Sequence, residues 1–295
     1  MIVFPMPNSA ELGRKVAAKA KARMGGLKIS HFPDGESHLQ FMEDVRGKEA
    51  VLVQTLHPNA DEALMHLVFA GRTAKDLGAG KVTGVVPYMA YMRQDKRFHA
   101  GECVSNRIAA HLLNQSLDKV ITIDPHLHRV HDLADLFHIE RKKLTANGAI
   151  ADYIKKEFSA KAAVIAGPDM ESSQWARSIA DSIGFESAIF RKERFGPHRV
   201  KITAEQELRG WKGKEVVIVD DIISAGHTMV EAVKEVRKRK PKAVHCICVH
   251  PIFAEGAYEK IKKAGAKSIV SCNTIGHKSN GIDLSAIIAK EIARE

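Results

Sequence analysis

The densest chemistry in the chain lies in Glu215–Met229, EVVIVDDIISAGHTM. Four apolar residues, Val216 to Val219, run into the adjacent carboxylates Asp220 and Asp221. A small, hydroxyl-bearing turn, Ser224-Ala225-Gly226-His227-Thr228, then leads into a helical pattern from Met229. A buried parallel strand reads as such an apolar run, and open α/β sheets take their ligands at the carboxyl ends of strands. A turn that gathers backbone N–H groups, hydroxyls and a helix N-terminus suits a phosphate. Neighbouring strand residues face opposite ways, so both carboxylates reach one ligand only if the strand ends at them, and the Ser-Ala-Gly run predicts that it does. The pair would then take a sugar's vicinal hydroxyls or a hydrated magnesium ion. The competing account is a decorated strand–turn–helix with a structural Asp pair.

Four other stretches carry reactive side chains. Phe32-Pro33-Asp34-Gly35-Glu36 is a turn by its Pro-Asp-Gly sequence and would ordinarily be a solvent-exposed hairpin. Arg93-Gln94-Asp95-Lys96-Arg97 follows Pro87-Tyr88 in a loop that reaches Glu102 without apolar periodicity, long enough to suspect a function. Read alone, it is equally a salt-bridged surface loop. Asp124-Pro125-His126-Leu127-His128, with His131 nearby, offers three imidazoles as possible zinc ligands, although a single His at a strand end is more often just hydrogen-bonded. Lys192 and Arg194 read as an exposed strand end on composition alone.

The elements that must position these residues alternate. Strands are predicted at 2–6, 27–31, 37–41, 50–56, 81–87 and 119–123, and again at 162–166, 186–190, 199–203, 215–219, 243–249 and 268–272. Helices are predicted after Ser9, over 60–77, over 106–116 with Ser105 as cap, over 145–158, from Ser172 or Ser173, over 228–239, over 255–264, and at the C-terminus with Asp283 as cap. Strands alternating with helices of this length argue parallel sheets built from right-handed βαβ units. A faint repeat, Gly80-Lys81-Val82 leading to Pro87-Tyr88-Met89 and Pro241-Lys242-Ala243 leading to Pro251-Ile252-Phe253, supports two related halves. The expected division is 1–144 and 145–295, with the final helix packing back on the first half.

Composition bounds the rest. A chain of 295 residues predicts about two domains, and 45% hydrophobic with 27% charged residues supports a sizeable core. No apolar run is long enough to span a bilayer, and MIVFPMPNSA lacks a signal peptide's basic start and long apolar region. Cys103, Cys246, Cys248 and Cys272 have neither metal nor disulfide spacing, and Cys246 and Cys248 read as small apolar residues on one strand face. A reducing, cytoplasmic setting is expected. The net charge of +10 is dispersed, much of it on helix faces such as 234–240, and no nucleic-acid module is present. Anionic small molecules account for it as well as any polynucleotide.

The Asp220–Thr228 string resembles the phosphoribosyl-diphosphate (PRPP) loop of type I phosphoribosyltransferases and of PRPP synthetases. The other motifs, in order across nearly the whole chain, narrow this to the ribose-phosphate diphosphokinase (PRPP synthetase) family. That resemblance implies an α/β protein of two tandem type I phosphoribosyltransferase-like domains, each a mainly parallel sheet flanked by helices. It implies that Phe32, Asp34 and Glu36 recognise adenine in a neighbouring subunit's site, that Arg93 and Gln94 hold ATP, and that Lys96 and Arg97 close on its phosphates. Lys192 and Arg194 match the paired basic residues of the catalytic arm, and His126 and Asp169 match magnesium-site positions. Asp220 and Asp221 would hold the ribose hydroxyls, and Ser224, Ala225, Gly226, His227 and Thr228 the 5-phosphate.

Three features depart from the family pattern. Met170-Glu171-Ser172-Ser173 follows Asp169 where small glycines are common, with Trp175 where a basic residue is common. Ala225 stands for a usual Thr, and His227 for a usual Gly. Losing a hydroxyl removes a phosphate hydrogen bond worth about 1.5–3 kcal/mol. The implied reaction is ATP plus ribose 5-phosphate to PRPP plus AMP, with Mg2+, in a homo-oligomer (dimer or hexamer), without nucleic-acid polymer or membrane. The altered turn keeps two alternatives open: the same chemistry on a related pentose phosphate, or a catalytically weak regulatory homologue.

Overall fold

From Ile2 onward the chain alternates strand and helix as its apolar spacing predicts. The computed structural model describes residues 1–127, 132–194, 200–204 and 211–294, with backbone alone at 170, 171, 173, 174, 189–194 and 200–204. It divides into two units, one of 1–145 with 274–276 and 284–295, the other of 146–273 with 277–283.

The first unit opens with β1 (Ile2–Pro5), α1 (Ala10–Lys19) and the two-residue β2 (Arg23–Met24). A hairpin of β3 (Leu27–His31) and β4 (Ser37–Phe41) stands as its own two-stranded sheet. Then follow β5 (Glu49–Val53), α2 (Ala60–Asp76), β6 (Lys81–Val86), α3 (Ser105–Ser116), β7 (Lys119–Ile123) and β8 (Glu140–Leu144). The main sheet is parallel, in the order β2-β1-β5-β6-β7-β8. Val3, Phe4, Leu52, Val85 and Ile121 are fully buried along its strands, as the continuous apolar runs require. β8 went unforeseen because ERKKL has no apolar run. It is an edge strand, and charge there discourages pairing with other chains.

The second unit contains α4 (Asn147–Glu157), β9 (Ala163–Gly167), α5 (Met170–Ile183), β10 (Glu186–Arg194), β11 (Val200–Ala204), β12 (Glu215–Ile223), α6 (His227–Lys238), β13 (Ala243–Pro251), α7 (Ala257–Ala264), β14 (Ser268–Cys272) and β15 (Asn280–Ile282). Its seven strands lie in the order β11-β10-β9-β12-β13-β14-β15, parallel except for the antiparallel β10–β11 pair. The core joins Val216 and Ile218 to Val233 and Val236 of α6 and to Cys246 and Cys248, which pack as the small apolar residues expected. The chain ends in α8 (Ser285–Ile292), part of the first unit, where it packs on α1. There Glu291 lies 3.7 Å from Lys119 of β7, both side chains nearly buried.

Three expected helix caps do other work. Ser9 precedes α1, but its Oγ accepts from Thr55 N at 2.8 Å. Ser105 lies inside α3 and donates to Gln94 Oε1 at 3.1 Å, while Asp283 Oδ1 accepts from Asn273 Nδ2 at 2.8 Å. The start of α5 differs too: Asp169 is its N-cap, taking Ser172 N at 3.1 Å while its own N–H donates to Ser172 Oγ at 3.2 Å. This reciprocal box satisfies two helix-end donors. Tertiary partners, not nearness to a helix start, decide what Ser9, Ser105 and Asp283 bond.

Two histidines, His245 buried and His57 half-buried, make stability pH-dependent. Burial pushes the imidazoles of His57 and His245 below their ordinary 6.5, and His245 Nδ1 lies 2.7 Å from Ser268 Oγ. Their contribution is whole above pH 6.5 and is lost as pH falls through the lower folded values. Thermal scans from about pH 7.5 down to about pH 5 should show a falling Tm, with a shallower slope in His245→Gln. An equal slope in that variant would assign the effect elsewhere.

Candidate active site

In the second unit β9 and β12 are paired neighbours, yet the chain leaves β9 for β10 on one side and β12 for β13 on the other. The strand order reverses there, and such a switch point opens a crevice at the carboxyl ends of the two strands. Pro168-Asp169 follows β9, and Asp220, Asp221 and the turn 224–228 end β12. The topology brings these sequence-selected residues to the carboxyl ends of two adjacent strands.

The expectation that β12 stops at the Asp pair is corrected. The strand runs to Ile223, paired with β13 as far as Ile223↔Pro251, whereas pairing with β9 stops at Ile218↔Ala166. Both Asp residues therefore lie in a strand that has outrun β9. Each carboxylate turns onto the next amide: Asp220 Oδ1 accepts from Asp221 N at 3.1 Å, and Asp221 Oδ1 from Ile222 N at 2.7 Å. Both carboxylates are half-buried and tied to the backbone by these local bonds.

The turn resolves the question raised by His227. Gly226 takes the left-handed conformation, φ 76°, as N-cap of α6, and a Cβ there would sit 2.8 Å from Ala257 Cβ. His227 is the first residue of the helix and exposed, so the position that needs glycine has one. The first turn of α6 carries no acidic residue and the last carries Arg237 and Lys238, an arrangement that leaves the N-terminal dipole available to an anion. Lys192 and Arg194 lie on β10 beyond its pairing with β9, which ends at Ile189↔Gly167. They occupy alternate positions, opposite Ile202 and Val200 of β11.

In the first unit, Phe32–Glu36 closes the β3–β4 hairpin. Phe32 N donates to Glu36 O at 2.8 Å, Gly35 N to Phe32 O at 2.9 Å, and Glu36 N to Asp34 Oδ1 at 3.2 Å. Gly35 has φ 94°, and Phe32 is half exposed, its ring edge-on to His38. An apolar ring held in water by a well-bonded turn is available for stacking.

The cationic loop is anchored at both ends by residues the sequence reading did not select. Tyr91, at φ 70°, donates to the Asp61 carboxylate, and burial together with that bond pushes its phenol well above the ordinary range. Glu102 accepts from Phe98 N at 2.8 Å and His99 N at 3.1 Å, and its Oε1 lies 2.6 Å from His99 Nδ1, which lowers its own pKa. An acidic residue closing a basic loop at i+3 and i+4 was the available signal. Between these anchors Gln94 takes the Ser105 hydroxyl, Arg93, Lys96 and Arg97 are exposed, and Lys96 Nζ lies 5.1 Å from the Phe98 ring centre. His126 is half-buried just past β7, after Asp124 at φ 35°. His128 and His131 lie outside the described residues.

Comparison with known proteins places both halves. Residues 1–116 match the N-terminal domain of ribose phosphate pyrophosphokinase, and residues 133–286 match the phosphoribosyl transferase domain. A ribose-phosphate pyrophosphokinase of Methanobrevibacter smithii is 37% identical over 95% of this chain and 96% of its own. The chain belongs to the ribose-phosphate pyrophosphokinase family. A second family member, ribose-phosphate pyrophosphokinase 2 of Archaeoglobus fulgidus, is 36% identical over 99% of this chain and 100% of its own. The crystal structure of phosphoribosylpyrophosphate synthetase from Mycobacterium smegmatis, 24% identical, shares the fold with a TM-score of 0.86 over 99% of this chain and 97% of that one. The resemblance drawn from the loop motifs, and the α/β class with it, is borne out. Among the described residues no helix is long and apolar enough to cross a membrane.

Proposed function

We propose that this chain is an active ribose-phosphate diphosphokinase, transferring the β,γ-diphosphoryl group of ATP to the anomeric hydroxyl of ribose 5-phosphate to give PRPP and AMP. The observation that carries the reading is the β9–β12 switch point with its two oriented carboxylates and glycine-capped helix N-terminus, in a chain that matches family members end to end. Asp220 and Asp221 take the ribose 2- and 3-hydroxyls. Ser224, Thr228 and the backbone of 225–227 take the 5-phosphate. Phe32 stacks on adenine while Asp34 and Glu36 read its amino edge, and Arg93 and Gln94 hold the nucleotide.

The anomeric hydroxyl attacks the β-phosphorus in line and AMP leaves, so the protein's task is positioning and charge stabilisation. Lys96, Arg97, Lys192 and Arg194 are the residues assigned to supply positive charge to the transferring group. Magnesium prefers oxygen donors and keeps several waters, and the carboxylate of Asp169, with one oxygen fixed in the α5 cap, suits it. His126, in the first unit, is a position that the family resemblance assigns to magnesium, and a softer donor than a carboxylate. When bound, the ion neutralises phosphate charge.

We further read the protein as a homo-oligomer, dimer or hexamer, since loop 32–36 would serve a neighbouring subunit. A cytoplasmic location fits four free cysteines, three of them buried. A second reading, the same transfer to a related pentose phosphate, draws on Ala225, which offers no hydroxyl to the phosphate. The test is AMP release from purified protein with ATP and Mg2+, with and without ribose 5-phosphate, and PRPP quantified alongside. Ribose-dependent AMP with equal PRPP is expected. AMP formed only with another pentose phosphate selects the second reading, and ATP binding without turnover on any sugar points to a regulatory homologue.

A further inference from the structure

Three metal-ligand side chains converge where the β3–β4 hairpin meets α2, and none belongs to the site above. His31 ends β3, Glu62 and His66 stand one turn apart on α2, and their donor atoms all lie within 4.8 Å of one another. His31 Nε2 is 3.2 Å from Glu62 Oε1, and His66 Nε2 is 3.9 Å from the same oxygen. Backbone register brings them together. His31 pairs with Ser37 across the hairpin, so the two share a face, and Ser37 Oγ lies 3.1 Å from His66 Nε2. The i,i+4 spacing puts Glu62 and His66 on one face of α2. The other carboxylate oxygen of Glu62 accepts from Asn59 Nδ2 at 3.3 Å, the kind of outer contact that orients a ligating carboxylate.

We propose that His31, Glu62 and His66 form a binding site for a zinc-class divalent cation that pins the 32–36 loop to α2. Two imidazoles and one carboxylate, with a fourth position left to water, are a zinc donor set, whereas magnesium would demand oxygens. Zinc bonds of about 2.0–2.1 Å set tetrahedral ligand atoms roughly 3.3 Å apart. His31 and Glu62 already stand at that separation. His66 closes on Glu62 by under about 1 Å, exchanging its contact with Ser37 for the metal. The His31 and Glu62 side chains are 46% and 41% exposed, so a hydrated ion reaches the site directly.

His31 and Phe32 are consecutive, so fixing the imidazole fixes the entry to the loop. If that loop recognises adenine, as proposed above, cation occupancy sets nucleotide affinity. That consequence rests on the proposed function, and the site itself does not. The test is a titration of the full-length protein with Co2+ and Zn2+ in excess Mg2+, read by the visible absorption of tetrahedral cobalt, its displacement by zinc, and hydrogen exchange of amides 32–36. One cobalt per chain with a tetrahedral spectrum is expected, with slower exchange in the loop. His31→Ala and Glu62→Gln, both exposed and tolerant of change, should each weaken binding by at least about 100-fold. His126→Ala should leave the cobalt spectrum unchanged. No tetrahedral band, a band that survives both variants, or one lost only with His126→Ala would overturn the site. None of these readouts depends on turnover, so an inactive enzyme would leave the result interpretable.

Discussion

Lys192→Ala is expected to lower turnover by a factor on the order of 10² to 10³, the usual loss when one preorganised charge donor leaves a transferring group. The reasoning starts from backbone register. β10 stops pairing with β9 at Ile189↔Gly167 and continues to Arg194, so Lys192 lies past the carboxyl end of β9, the end from which Asp169 leads into α5. Arg194 lies two residues further along the same strand, opposite Val200 of β11. A charge that matters mainly in the transition state lowers kcat while leaving KM for ribose 5-phosphate within a few-fold. Single-turnover AMP formation by the variant, with circular dichroism confirming its fold, makes the measurement. Near-normal turnover would remove Lys192 from the mechanism. A rise in KM alone would reassign it to substrate binding.

What the sequence made legible depended on how local each feature's cause was. The buried strands announced themselves because parallel strands covered on both faces are continuous apolar runs, as in Val216–Val219 and Ala50–Val53. The Asp pair and its turn were visible because strand end, carboxylates and helix start are contiguous in the chain. β8 was not visible, since an edge strand of ERKKL is held by its neighbour and shows no period of its own. Nor were the capping assignments, because whether Ser9 turns to its own helix or to Thr55 is decided 46 residues away. The cluster of His31, Glu62 and His66 is the same case: no motif spans it, and only the seating of the hairpin on α2 assembles it. The roles of Lys96, Arg97, Lys192 and Arg194 came from resemblance, because isolated basic residues on loops and strand ends carry no signature that separates catalysis from solvation.

Gly226→Ala should damage stability and sugar-phosphate binding together. At φ 76° an L-residue costs about 1–2 kcal/mol relative to glycine. The added Cβ also lies 2.8 Å from Ala257 Cβ, closer than two carbons tolerate, so either the α6 start or α7 must shift, and overpacking of this kind costs about 1–3 kcal/mol more. Together these should lower Tm by roughly 4–15 °C. Any shift of the α6 N-terminus also misplaces the amides of 226–228 by a fraction of an ångström. Since each hydrogen bond to a charged phosphate is worth about 1.5–3 kcal/mol, KM for ribose 5-phosphate should rise by roughly tenfold or more. A second change separates the two causes. Ala257→Gly removes the carbon that the new Cβ meets, so the double variant should recover the packing part of the Tm loss and keep the part due to the left-handed backbone. A single variant with wild-type Tm and KM would mean that the turn adapts freely, and the phosphate would then have to be held elsewhere than at the start of α6.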